Sequence, residues 1–324
     1  MGNQLDKKTT NCCKGIAAVI IMLHHISFRV SNLPIYIKPI WYIAFPVVGF
    51  FFFMSGYGLT CGLMKKKNYL QGFLSKRVLN VVIPYVIVVF GWIGLEISRG
   101  GGQRLEKAFA EAFTIHYIQP LWFIWVIIVT YIVFYMVFKC ASSVQVGVSW
   151  FVGITIVYIF ISAFVNPRDE MYASIIGMPL GVLWAMYEKR IDLYFEVNFC
   201  KKEFISIVVF MSLFITRLVL SIVGIDNRLF QTVFRNIITV MFLVSLIGIL
   251  KRVKLSRKLL MWLGAISYEI YIVHPFILYD FEKKMEDGQL VNNFEVIVGT
   301  IGLTLLLSCI LKVVQGYIIR KVRK

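Results

Sequence analysis

Ionisable side chains interrupt several long apolar stretches of this sequence. Residues 14–30 read KGIAAVIIMLHHISFRV, with Lys14 at one end and the adjacent histidines His24 and His25 near the other. A neutral imidazole accepts a proton near physiological pH, so a histidine in such a helix has the chemistry of a general base. The alternative is a neutral imidazole that hydrogen-bonds a neighbouring helix. Of the two histidines, we predict that His25 is the general base and that His24 is a packing or orienting residue.

A further histidine lies in the segment SYEIYIVHPF, which places Ser267, Tyr271 and His274 on one helix face at i, i+4 and i+7. Glu269 points away from this face, so it is not an obvious orienting partner for His274. The segment GFFFFMSGYGLTCG adds Ser55, a hydroxyl near mid-membrane, and glycines that permit close helix packing. Tyr271 and Ser55 are therefore candidate hydrogen-bond donors, although helix packing alone also explains the tyrosines and the glycines.

Arg217 and Arg235 interrupt two further apolar segments. At the helical rise per residue, they lie with His25 and His274 at a similar depth, about 9–11 Å below the predicted outer surface. This agreement predicts one polar cavity in the outer half of the membrane. Arginine stays charged at any reachable pH, so both residues need acceptors, an anionic ligand or a developing oxyanion.

The elements that position these groups are predicted to be membrane helices. Of the 324 residues, 59% are hydrophobic and only 16% are charged, which excludes an ordinary soluble domain of this length. We predict one all-α integral-membrane domain over residues 1–324, a polytopic bundle without a separate soluble domain. The predicted spans number about ten: 14–31, 41–64, 78–97, 120–138, 144–164, 171–187, 204–224, 229–250, 259–280 and 294–314.

The net charge of +17 would indicate nucleic-acid binding in a soluble protein, but here the basic residues cluster in loops on one side of the predicted bundle. The positive-inside rule then places both termini in the cytoplasm and predicts no nucleic-acid partner. The amino-terminal segment does not have the form of a cleavable signal peptide.

Lys14, Lys76 and Arg77 lie on the predicted inner side of the membrane. There they suit the phosphates of a cytosolic ligand or simply follow the positive-inside rule. The six cysteines contain no C-x-x-C pair, so neither a zinc site nor another metal site is predicted.

Five segments in order resemble elements of the acyltransferase-3 family of bacterial integral-membrane O-acyltransferases. Lys14 and His25 have the spacing of its R-G-I-A-A-(apolar)-H-H element. FFFMSGY at 51–57 is similar to F-F-x-x-S-G-[YF], and KRVLNVVIPY at 76–85 to R-x-x-R-(x)-P-Y. PLWFI at 120–124 is similar to H-L-W-F-[IL], and SYEIYIVHPFI at 267–277 to S-Y-x-I-Y-L-x-H-x-P. Lys14 replaces the usual arginine, and Asn80 stands where a second basic residue often occurs.

The resemblance implies a bacterial cytoplasmic-membrane enzyme that uses acetyl-CoA or another acyl-CoA as donor, approached from the cytoplasm and bound by Lys14, Lys76 and Arg77. The acceptor would be a hydroxyl of an envelope or surface glycan. His25 would act as base or as acylated nucleophile. His274, Tyr271, Ser55, Arg217 and Arg235 would stabilise the oxyanion or bind the acceptor.

Two other functions remain open at this stage. In a transporter or flippase, the same intramembrane cations would bind an anionic envelope intermediate, but no repeat relates the two halves of the chain. A non-catalytic sensor or anchoring partner would tolerate substitution of His25 and would not bind acyl-CoA.

Overall fold

A computed structural model describes residues 5–30, 40–99, 121–166, 168–225, 227–286 and 292–322. Every regular element within these ranges is a helix, which confirms the all-α class. The helices, in chain order, are α1 (Lys7–Ser27), α2 (Ile40–Lys65), α3 (Phe73–Ser98), α4 (Trp122–Cys140), α5 (Val144–Val165), a 3-10 turn (Asp169–Met171), α6 (Gly177–Glu196), α7 (Phe199–Val223), α8 (Arg228–Leu250), α9 (Lys258–Ala265), α10 (Ser267–Glu286) and α11 (Asn293–Val322).

Seven of the described helices are long and apolar enough to cross a membrane, so the protein is a multi-pass membrane protein. The pair α9 and α10 meets the same test together but is bent by 69°, which gives up to eight spans. The helices α1 and α6 overlap predicted spans, but they contain too many polar residues to be counted among the seven apolar helices. Each of the ten predicted segments overlaps a helix or the bent pair, while ten crossings and cytoplasmic termini remain predictions.

The limits of α1 and α11 differ from those predicted. Asp6 accepts hydrogen bonds from the backbone N–H and the hydroxyl of Thr9, both at 2.8 Å, and so begins α1 at Lys7. These bonds lower the pKa of the Asp6 carboxyl. Lys14 therefore lies about two turns inside the helix, and the prediction that it opens α1 is wrong. The helix α11 continues to Val322, so Lys312 is also internal to its helix.

The glycines of α2 bring α2 and α6 into direct backbone contact. A Cβ atom at Gly56 would lie 2.1 Å from the carbonyl oxygen of Met178, and one at Gly181 would lie 2.2 Å from that of Phe53. Gly58 has open space instead, with no atom within 4 Å of a Cβ at that position. Close packing is therefore the role of Gly56, while the face that carries Gly58 borders a cavity.

This contrast predicts opposite outcomes for two similar substitutions. Gly56→Ala forces a methyl group into backbone that has no side chain to move, so we expect it to destabilise the fold by about 1–3 kcal/mol. Gly58→Ala should leave stability nearly unchanged. Thermal unfolding of both variants in detergent checks the pair, and equal midpoints would contradict the described packing of α2 on α6.

An ion-pair cluster fastens α3 to the far end of α10. Glu96, which is only 1% exposed, accepts a hydrogen bond from Lys283 Nζ at 2.8 Å. Arg99 lies 3.6 Å from Glu96 and also pairs with Asp280. A buried carboxylate needs such partners. The cluster holds the helix that carries His274 against its neighbour.

Candidate active site

A cavity of about 770 Å³ opens at the end of the bundle where α1 ends and α2 begins. We call it the histidine cavity and define it by His24, His25, Asp169, Arg217, Arg235 and Glu282. Its aromatic lining includes Trp41, Tyr42 and Trp122. Residues from six helices and from the turn after α5 meet here, because the C-terminal ends of α1, α7 and α10 and the N-terminal ends of α2, α4 and α8 lie on the same side of the bundle.

The histidine cavity brings together residues that the depth argument associated. His25, Arg217 and Arg235 line it, and the His274 ring stacks on the His25 ring with centroids 5.2 Å apart. His25 is half-buried and borders the cavity, so a ligand can reach its ring. His274 is fully buried behind it. The roles of these residues remain predictions.

A backbone carbonyl fixes the protonation pattern of His274. Its Nδ1 lies 2.8 Å from the carbonyl oxygen of Ile270, and a carbonyl can only accept, so Nδ1 carries a proton. The Nε2 atom of the neutral ring is then a lone-pair acceptor, and it is buried with no partner among the described residues. His24 is held in the same way, through Nδ1 at 3.0 Å from the carbonyl oxygen of Ile40.

Carboxylates pair with two of the arginines that line the histidine cavity. Arg235 pairs with Asp169, and Arg29 pairs with Glu282. Glu170 also lines the cavity and accepts from Arg168 at 2.8 Å. These acidic partners were not predicted from the sequence. They lie in a connecting turn and at the far end of α10, where charged residues are common and do not indicate a site. Arg235 therefore has one of the acceptors that the sequence predicts it to need, and its role toward a ligand remains a prediction.

A second cavity of about 650 Å³ lies toward the opposite end of the bundle, where α1 begins and α11 ends. We call it the basic cavity and define it by Lys14, Ser55, Arg77, Asn80, Tyr271 and Lys312. Arg77 donates a hydrogen bond to the Tyr69 hydroxyl at 2.8 Å. Lys76 is exposed and does not line this cavity, so the structure separates it from Lys14 and Arg77.

The predicted catalytic set is divided between the two cavities. Ser55 and Tyr271 line the basic cavity, whereas His25 lines the histidine cavity. The Ser55 hydroxyl lies 3.4 Å from that of Tyr131. Helical periodicity gives the face on which a residue lies, but it does not show where a wall divides the space inside a bundle.

The wall between the cavities is thin. Ile21 and Val48 each line both cavities, and the neighbouring residues Trp122 and Phe123 line one cavity each. Beside them runs a row of three rings: Tyr271 lies 6.2 Å from His274, which lies 5.2 Å from His25. The site is thus two polar cavities within a membrane bundle, separated by a few side chains with two histidines at the boundary.

The chain matches the family described as "Acyltransferase domain", acyltransferase-3, over residues 9–313. It therefore belongs to the acyltransferase-3 family and is a membrane acyltransferase. Comparisons with curated proteins and with solved structures give no significant match.

Proposed function

We propose that this protein transfers an acetyl or other short acyl group from cytosolic acyl-CoA to a hydroxyl of an envelope or surface polysaccharide or related glycan. The bacterial cytoplasmic membrane is the proposed location. The observation that carries the proposal is the meeting of two polar cavities at the wall beside His25 and His274. A donor in one cavity and an acceptor in the other would have their reacting groups at that wall.

The basic cavity suits the donor. Lys14 and Arg77 supply charge for phosphates, and positive-inside topology would open this cavity to the cytoplasm. Lys14 and His25 are separated by about 16 Å along α1, a span comparable to an extended pantetheine arm. With the phosphates at Lys14, the thioester would reach the wall beneath His25.

The proposed chemistry is acyl transfer with His25 as general base. The acceptor oxygen attacks the thioester carbonyl carbon while His25 takes the hydroxyl proton. The tetrahedral intermediate then collapses, the carbon–sulfur bond breaks, and the leaving thiolate takes the proton from His25. Arg217 or His274 would stabilise the developing charge, His274 if its Nε2 is protonated. An acylated His25 formed before the acceptor reacts would be the two-step form of the same transfer.

The histidine cavity suits an uncharged acceptor. Arg29 and Arg235 pair with carboxylates, and Trp41, Tyr42 and Trp122 offer apolar ring faces. A sugar presents hydroxyl donors for carboxylates and C–H faces for rings. We therefore favour a neutral hydroxyl acceptor over an anionic one.

The function can be tested with purified protein in nanodiscs and acetyl-CoA labelled in the acetyl group. We expect donor binding and slow hydrolysis to free CoA, with hydrolysis lost in His25→Ala. Binding and turnover that are absent from a folded wild-type protein would contradict the proposal. In that case, transport of an envelope intermediate becomes the better account.

A further inference from the structure

A buried carboxylate lines the basic cavity without any role in the proposed chemistry. Glu269, in the first turn of α10, is 1% exposed and accepts hydrogen bonds through Oε1 from Lys312 Nζ, at 2.9 Å, and from Gln315 Nε2. Both donors come from α11. The pair Glu269 and Gln315 therefore joins two helices at the cavity wall.

Each member of this pair also has an acceptor atom that lacks a partner among the described residues. These atoms are Glu269 Oε2 and Gln315 Oε1, and both are buried. The orientation of the Gln315 amide follows from chemistry, because only its NH₂ group can donate to a carboxylate. Buried acceptors without donors are costly, so a ligand that brings N–H or O–H groups here gains more than it would at a solvated surface.

The two acceptors lie at an intermediate level of the bundle. Glu269 precedes His274 by five residues, or about 7–8 Å along α10, and His274 stacks on His25. Lys14 lies about 16 Å from His25 on α1. The acceptor pair is therefore about midway between the proposed phosphate site and the proposed reacting carbon.

We propose that Glu269 and Gln315 form a subsite for the pantetheine arm of the donor, in which Glu269 Oε2 and Gln315 Oε1 accept hydrogen bonds from its two amide N–H groups. This inference rests on the proposed acyl-CoA donor. Two acceptors next to each other match two donors carried by one flexible arm. Lys312, whose side chain is 47% exposed, neutralises Glu269 and lies at the edge of the cavity, so side-chain rotation can open the subsite.

Two thioester donors distinguish the contribution of this subsite from that of the phosphate site. Acetyl-CoA carries the arm and the phosphates, whereas S-acetylpantetheine carries the arm alone. Thiol release is measured with each donor for the wild type, Glu269→Gln, Gln315→Met and Lys14→Met. We expect Glu269→Gln to lower kcat/KM about tenfold and Gln315→Met about threefold to tenfold, each with both donors. Lys14→Met should lower kcat/KM for acetyl-CoA alone.

Losses confined to acetyl-CoA would overturn the inference, because Glu269 and Gln315 would then act only through Lys312 and the phosphates. Unchanged rates with both donors would overturn it as well. A wild-type protein that releases thiol from neither donor would instead contradict the proposed function itself.

A change in the donor gives a second test, which still applies if one variant fails to fold. The S-acetyl derivative of N-acetylcysteamine keeps only one of the two amide N–H groups. The wild type should have a higher kcat/KM for S-acetylpantetheine than for this shorter thioester. The ratio of the two kcat/KM values should fall about threefold or more in Gln315→Met or Glu269→Gln. A ratio that is the same in the wild type and in a folded variant would contradict the subsite.

Discussion

Replacing His25 with alanine should lower the rate of acyl transfer by about 100- to 10,000-fold, because a positioned general base contributes that much to a proton-transfer step. His25 is the histidine that borders the histidine cavity while stacking on His274 at the wall. Its ring is thus open to a hydroxyl in the histidine cavity, and only the thin wall that includes Ile21 and Val48 separates it from the proposed thioester site. Acyl transfer from labelled acetyl-CoA measures the effect.

His24→Ala is the matched control for this prediction. His24 is the adjacent residue and lines the same cavity, but its Nδ1 is engaged with the carbonyl oxygen of Ile40. We expect a loss of less than about tenfold, the size of a lost neutral hydrogen bond. If both variants fold and His24→Ala is the more damaging, the base has been assigned to the wrong residue.

Lys14→Met should weaken the binding of acetyl-CoA by about 10- to 100-fold, since it removes a charge-assisted contact to phosphate. Lys14 is half-buried and lines the basic cavity, so a phosphate bound there would be partly shielded from water. Lys14→Arg should retain binding, because a guanidinium also pairs with phosphate. Isothermal titration of the protein in nanodiscs with CoA provides the dissociation constants.

Lys76→Met is the control for charge alone. Lys76 is exposed and lies outside the basic cavity, although the sequence placed it with Lys14 and Arg77. Its loss should change CoA affinity less than about threefold at physiological salt, where exposed charges are screened. Equal losses of CoA affinity in Lys14→Met and Lys76→Met would mean that CoA is attracted by the overall positive charge of this face and not by a specific binding site.

The shared cavity was predictable from the sequence because membrane depth follows from counting residues along a helix. His25, Arg217 and Arg235 lie on three helices, and equal depth places them at one level of the bundle. Counting cannot show which groups neutralise them. Asp169 and Glu282 come from outside the apolar stretches, so nothing in their own segments marked them as partners of Arg235 and Arg29.

The basic cavity was harder to predict, since it depends on tertiary packing. The glycines of α2 were predicted to permit close approach, but only the structure separates Gly56, in contact with α6, from Gly58, beside the basic cavity. Gln315 lay beyond the predicted end of the last span. Glu269 had no visible partner until α11 was placed against α10.

In the proposed reaction, the donor binds at one face of the membrane, and the acyl group is delivered toward the other face under the control of His25. Acetyl-CoA, which is too charged to cross a bilayer, can be supplied with labelled acetyl groups to inside-out or right-side-out membrane vesicles from the organism of origin. With wild-type protein, alkali-labile ester label should accumulate on vesicle glycans only in the inside-out preparation, and His25→Ala should abolish it. Equal labelling of right-side-out vesicles, or labelling that survives in His25→Ala, would contradict the account.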